Sequence, residues 1–271
     1  MANLKEFAKQ VRKDIIEMVY GAKSGHIGGS LSSVEILAVL YNKILNIPKE
    51  WDKSPEFPLR DRFILSKGHV TPVFYSTLAH CGYFDTKLLQ DFRKLGSLLQ
   101  GHPCLFTKLP GIEISTGSLG QGLSIGVGLA QGLKLDKINS KVYVLLGDGE
   151  IQEGSVWEGF MSAGAKKLDN IVAIIDKNNL QIDGSVLDIK TLDPLDKKLL
   201  AFGWDVITVD GHNLEELEVA FNKAKLAKTP TVVICNTIKG KGVSFMENNA
   251  GWHGKAPNEE QYKLAMEELN A

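Results

Sequence analysis

The chain has 271 residues, 44% hydrophobic and 23% charged, the balance of a globular α/β domain with a sizeable core rather than of a disordered segment. Its formal net charge of −1 lacks the basic surplus of a chain that meets nucleic acid or an anionic membrane, so no nucleic acid and no membrane partner is expected. Three cysteines, Cys81, Cys104 and Cys235, have no C-x-x-C spacing and read as reduced thiols of a cytoplasmic protein, without a zinc site or a disulfide framework.

The opening MANLKEFAKQVRKDIIEMVY predicts an amphipathic helix, too interrupted by charge for a signal peptide or a membrane span. SLSSVEILAVLYNKIL, residues 30–45, predicts a helix capped by Ser30 or Ser32. PKEWDKSPEFPLRDR, residues 48–62, is rich in proline and charge and predicts a surface excursion. Helices are expected at 71–81 and 86–95. STGSLGQGLSIGVGLAQG, residues 115–132, is a glycine-rich loop running into a helix on which Gly126, Gly128 and Ala130 suit close packing. Its order, G-x-x-G-x-G, is not the dinucleotide fingerprint, and no G-x-x-x-x-G-K-[ST] occurs. Gly117 and Gly120 precede the helical face and call for a different reason, such as a flat ligand pressed onto backbone.

From residue 140 the pattern becomes regular. VYVLL, IVAIID, WDVITV and TVVICN predict strands, and SVWEGFMSAGAKK, a segment near 195–201, LEELEVAFNKAKLA and NEEQYKLAMEELNA predict helices. Apolar strands alternating with helices imply an α/β fold, a mostly parallel sheet with helices on both faces. No repeat or linker is visible, so one domain over 1–271 is expected. The ending in a helical segment favours a natural terminus over a fragment.

Parallel sheets bind ligands at the carboxyl ends of their strands. Three of these ends carry unusual content: GDGE after 142–146, DKNN after 171–175 and TIKGKG after 231–235. Right-handed crossovers would bring the first two to one edge, where Asp148 and Asn178 would converge. Both offer hard oxygen ligands, suited to magnesium or calcium. The glycines around Asp148 would let a bulky anion approach backbone amides at the start of the next helix. Each motif alone is no more than a turn; the pair across one strand–helix–strand unit points to a metal-assisted anion site. Four histidines lie beside or within two residues of glycine, in SGHIGGS (His26), SKGHV (His69), GHPC (His102) and GWHGK (His253), as a site that moves protons and binds hydroxyls would use. His80 and His212 read as structural. Neither G-x-S-x-G nor H-E-x-x-H occurs, which leaves serine-nucleophile and zinc-protease chemistry unsupported.

GDGEIQEGSVWEG followed by NN-L resembles the thiamine diphosphate signature. With SGHIGGSLS, DRFILSKGH, GHP, STGSLGQGL, IKGKG and WHGKAP, the chain resembles the N-terminal part of transketolase from about residue 10 onward. The resemblance implies the thiamine diphosphate-binding fold, with thiamine diphosphate (thiamine pyrophosphate) and Mg2+ as cofactors, Ca2+ or Mn2+ being able to substitute. It implies Asp148, Asn178 and the Leu180 carbonyl as metal ligands. Gly149, His69, His253 and Lys239 would meet the diphosphate, with Asn178 reaching it through the metal, and Gly117 and Leu119 would meet the aminopyrimidine ring. His26, His69, His102 and His253 would act at the thiazolium carbon on sugar hydroxyls and protons. Glu153 and Glu158 would face the subunit interface, although carboxylates at a helix start are also favoured by the dipole alone.

Transketolases continue for a few hundred residues more, and the pyrimidine-binding domain that activates the aminopyrimidine is absent from this sequence. The resemblance therefore implies the N-terminal subunit of a split transketolase, working with a C-terminal subunit that carries the pyrimidine-binding domain. A heterotetramer of two N-terminal and two C-terminal subunits is expected, acting on sugar phosphates of pentose phosphate metabolism. The rivals are a related enzyme such as 1-deoxyxylulose-phosphate synthase, which the SKGHVTPVFYSTLAHCGYF segment matches less well, and a non-catalytic cofactor-binding module, which would not require all four histidines.

Overall fold

Five apolar segments pair side by side to build the molecule's centre. The structure, a computed structural model, describes residues 4–271 apart from 49, 52 and 55. The first three residues of the predicted opening helix and positions 49, 52 and 55 of the 48–62 excursion lie outside the described residues. In chain order the helices and strands are α1 (Leu4–Ala22), α2 (Ile27–Ser32), α3 (Val34–Val39), β1 (Arg62–Leu65), α4 (Thr71–His80), α5 (Gly122–Leu135), β2 (Val142–Gly147), α6 (Gly154–Ala165) and β3 (Ile171–Lys177). They continue with β4 (Leu180–Gln181), β5 (Gly184–Ser185), α7 (Val186–Lys190), α8 (Leu195–Ala201), β6 (Asp205–Asp210), α9 (Leu214–Leu226), β7 (Thr231–Asn236) and α10 (Glu259–Asn270).

The main sheet is parallel throughout, in the order β1-β2-β3-β7-β6, and β4 and β5 form a small antiparallel ribbon. The central strands are buried on both faces, as parallel strands under helices must be. Their side chains alternate between two cores. Tyr143, Leu145, Val172, Ile174, Val233 and Cys235 join the core under α1, α3, α4, α9 and α10. Val142, Val144, Leu146, Ile171, Ala173 and Ile175 join the core under α5, α6 and α8. A β-carbon on Gly126 would lie 2.6 Å from Cγ2 of Val144, so this glycine lets α5 settle directly on β2. Among the described residues, no helix is long and apolar enough to cross a membrane.

Four expectations need correction. β1 was not anticipated; its Arg62 lies within the segment read as a surface excursion, which closes against the sheet edge. The single helix expected over 30–45 begins at Ile27, breaks at Ser33 and ends in a π-helical turn over Leu40–Ile44. Ser30 and Ser32 are therefore inside α2, where their hydroxyls return to the carbonyls of His26 and Gly29 instead of capping a helix. The helix expected over 86–95 is a 3-10 segment, Thr86–Asp91, followed by turns. Gly128, expected to pack closely, meets nothing within 4 Å and is exposed.

Candidate active site

The register of β2 and β3 brings the two acidic strand ends together. Gly147 pairs with Asp176, so the turn carrying Asp148 and the loop carrying Asn178 leave the sheet side by side. The backbone N–H groups of Gly149 and Asn179 donate to the two oxygens of Asp148. Asp148 is buried. Burial, reinforced by the nearby Asp176 carboxylate, pushes its pKa up to about 6 despite those hydrogen bonds. Asn178 is also buried, and its amide nitrogen donates to Asp176 at 3.1 Å. Its carbonyl oxygen accepts the N–H of Leu180 at 3.2 Å and has a second lone pair that could meet a cation. The Leu180 carbonyl receives Nζ of Lys239 at 3.1 Å, and the same ammonium lies 2.9 Å from Nδ1 of His253. A carboxylate, an amide oxygen and a peptide carbonyl are the donor chemistry that magnesium takes when a phosphate completes its shell. A buried carboxylate whose pKa is raised by burial and by a second carboxylate nearby fits that group.

Sequence reading missed the anchor beneath this arrangement. Asp176 is fully buried and accepts hydrogen bonds from Lys67, Ser32, Ser33, Thr237 and Asn178. Burial alone would raise its pKa, but the charge of Lys67 and the converging donors outweigh that and hold it below the usual carboxylate range. Glu150 is a second missed carboxylate. It accepts from Ser66 Oγ at 2.5 Å and from the N–H groups of Gly120 and Gly147 at 3.0 and 3.1 Å, binding the glycine-rich loop to the strand-end turn. The only signal in the sequence was a lysine and carboxylates placed at the ends of otherwise apolar strands.

The four glycine-flanked histidines do meet. Ring centroids are 5.0 Å apart for His26 and His69, 5.4 Å for His26 and His253, 5.3 Å for His69 and His253, and 6.5 Å for His26 and His102. Burial lowers every one of them, helped by neighbouring cations. His26 falls to about 4 and His253 to about 3. The lowered values favour the uncharged imidazole, which can hydrogen-bond a hydroxyl through either ring nitrogen. Among the described residues, none partners the buried Nδ1 of His26. Arg93, also missed, donates to Ser24 at 3.0 Å and depresses both His26 and His102. Gly117 adopts φ +134°, and a β-carbon there would lie 2.7 Å from Cδ2 of His102, so only glycine lets the loop back onto that ring. Leu119, two residues further along the loop, is exposed. Glu153 and Glu158 stand exposed at the start of α6, and Glu153, at the helix N-cap position, makes no capping hydrogen bond. His80 and His212 are elsewhere, bonded to Asp14 and Glu35.

The family described as transketolase, thiamine diphosphate binding domain, matches residues 4–270. The chain belongs to this transketolase family. It is 44% identical over 260 residues to an apulose-4-phosphate transketolase subunit of Phocaeicola vulgatus, covering 96% of this chain and 91% of that protein. It is 42% identical to the 6-deoxy-6-sulfo-D-fructose transketolase subunit SqwG of Clostridium sp. (strain MSTE9), covering 98% of this chain and 96% of that one. The fold matches the solved transketolase of Campylobacter jejuni with a TM-score of 0.91 and 36% identity, covering all of this chain but 43% of that one. The chain therefore spans about two fifths of the length of a solved transketolase, while matching the transketolase subunits nearly end to end. The matched family is described as a thiamine diphosphate-binding domain.

Proposed function

We propose that this chain is the diphosphate-binding subunit of a two-subunit transketolase, transferring a two-carbon ketol group from a ketose phosphate to an aldose phosphate. The observation that carries the reading is the pairing of the strand ends that bear Asp148 and Asn178, linked through the Leu180 carbonyl and Lys239 to His253 of a four-histidine cluster. In this reading Asp148, Asn178 and the Leu180 carbonyl hold Mg2+. Lys239, His69, His253 and the Gly149 amide receive the diphosphate, and Gly117 and Leu119 bear on the aminopyrimidine. Bound thiamine diphosphate supplies the carbanion-stabilising ring. The protein's own part is to orient it and to move protons. His26, His69, His102 and His253 bind sugar hydroxyls and exchange protons with them, burial favouring the uncharged ring that can accept a hydroxyl's hydrogen bond.

The second half of the reading is a partner. The subunit-sized relatives and the two-fifths coverage of a complete transketolase support a separate C-terminal subunit that carries the pyrimidine-binding domain. Glu153 and Glu158, both exposed, would meet it or a second copy in a cytoplasmic heterotetramer of two subunits of each kind. Co-expression with a chain resembling the rest of transketolase, followed by native mass measurement and calorimetric titration with thiamine diphosphate and Mg2+, tests this. A stable mixed complex that binds the cofactor is expected. A chain that neither assembles nor binds cofactor in that partner's presence would overturn the reading.

A further inference from the structure

A buried ionic chain outside the cofactor cleft runs toward Lys239 from behind. Arg12 of α1 donates from Nη2 to Glu35 of α3, 2.6 Å to the nearer oxygen. Glu35 Oε2 lies 2.9 Å from Nδ1 of His212, in the turn between β6 and α9. His212 in turn accepts the backbone N–H of Ile238 on Nε2 at 2.8 Å. Arg12 also donates from Nε to the Lys241 carbonyl at 3.0 Å. Ile238 and Lys241 flank the turn that carries Lys239, so the same three side chains grip it on both sides. An Nε2 that accepts carries no proton, which assigns the ring as the neutral tautomer with its proton on Nδ1, facing Glu35.

We infer that His212, Glu35 and Arg12 are positioning residues for Lys239, fixing the 238–241 turn so that its ammonium stands at the Leu180 carbonyl and His253. The segment has no regular secondary structure of its own, and Gly240 within it sits at φ +81°. Its backbone therefore depends on bonds from other elements. A lysine side chain also loses rotamer freedom when held at a site, which a loose backbone would make worse. Stability alone is a weak account of the trio, because a buried ion pair is often matched by an apolar replacement of the same shape. Glu35 is held ionised: burial would raise its pKa, but the hydrogen bond from His212 and the charge of Arg12 bring it below the usual range. The outer side of the trio lines a groove of about 980 Å³ that contains none of the candidate site residues. Any effect of these side chains on cofactor binding is therefore transmitted through the turn and not by contact.

This inference rests on Lys239 as a diphosphate ligand, and the test separates the two. Thiamine diphosphate with Mg2+ is titrated calorimetrically into the complex of this chain with its C-terminal subunit, comparing Lys239→Met, His212→Asn, His212→Gln and the double variant Lys239→Met/His212→Asn. The glutamine oxygen can reach the place of Nε2 and accept from Ile238; the shorter asparagine cannot. His212→Asn should weaken binding by about tenfold, the low end for removal of an outer-shell partner. His212→Gln should return to within about threefold of wild type, and the double variant should be no weaker than Lys239→Met, as for residues acting through one another. The KM for cofactor should rise while kcat at saturating cofactor changes by less than about twofold. In the free chain, amide exchange at Ile238 should quicken in His212→Asn and not in His212→Gln. Arg12→Lys, which keeps a cation at Glu35 but loses the fork to Lys241, should weaken binding in the same direction and serves if His212→Asn folds poorly. Wild-type affinity in Lys239→Met would overturn the diphosphate role of Lys239 and the inference with it. Wild-type affinity in His212→Asn or Arg12→Lys, beside a weakened Lys239→Met, would overturn the inference alone, as would additive losses in the double variant.

Discussion

The N–H of Asn179 donates to Oδ2 of Asp148, tying the loop after β3 to the turn after β2. Asn179 lies between Asn178, whose amide donates to Asp176, and Leu180, whose carbonyl receives Lys239, so the bond fixes the segment that carries both. The strands deliver the two ends in register, and the hydrogen bond locks the last few ångströms.

If Asp148 is the anionic metal ligand, Asp148→Asn keeps the shape and removes the charge. Mg2+-dependent binding of thiamine diphosphate should weaken by at least about a hundredfold, the upper end of the loss seen for outer-shell partners of metal sites. Calorimetry on the reconstituted complex checks it, and an unchanged dissociation constant would remove Asp148 from the metal.

Asp176 should matter for stability before it matters for chemistry. Asp176→Leu removes the carboxylate paired with the buried Lys67 ammonium and takes away the acceptor of the Thr237 hydroxyl and the Asn178 amide. Removing one partner of a buried pair costs about 3–5 kcal/mol. Urea unfolding of the free chain measures this, and a loss below about 1 kcal/mol would contradict the anchoring role.

In the proposed reading, His26 and His102 act on sugar and not on diphosphate. Their alanine variants should keep cofactor affinity within about threefold while kcat/KM falls by about a hundredfold or more, the scale of general acid–base assistance. Titration and steady-state rates on the same preparations separate the effects. Loss of cofactor binding would move these residues to the diphosphate instead.

The depressed pKa of His26 has a stability consequence with a definite sign. Burial first, then Arg93, His102 and Lys239, lower it in the folded chain to about 4 from an ordinary 6.5. Between those values the unfolded chain binds more protons, so the group's contribution is complete above the ordinary value and is lost as pH falls through the folded one. Wild type should therefore lose more Tm than His26→Gln as the cofactor-free chain is taken from pH 7.5 down to about 4. Parallel curves would show that the ring is not held neutral by its surroundings.

Much of this fold is legible in the sequence for a plain reason. A parallel strand covered on both faces is a continuous apolar run, so β2, β3 and β7 stand out, and the glycine–aspartate and double-asparagine turns beyond them mark the binding edge. β1 does not stand out, because it has four residues and follows a charged, proline-rich stretch. The four histidines could be grouped by their glycine neighbours, but nothing local in the sequence sets them within a few ångströms of one another. Lys67 and Asp176 stand 109 residues apart, and their pairing exists only once β1, β2 and β3 are laid side by side. His212 read as structural, and its bonds to Glu35 and Ile238 come from elements distant in sequence.

The central claim is that this chain holds the diphosphate half of a thiamine site whose other half is carried by another subunit. It is tested most directly by assaying ketol transfer from a ketose phosphate to an aldose phosphate, with saturating thiamine diphosphate and Mg2+. The purified chain is measured alone and again after addition of the C-terminal subunit. Negligible turnover alone and full turnover on mixing is the predicted result. Full turnover by the chain alone would contradict it.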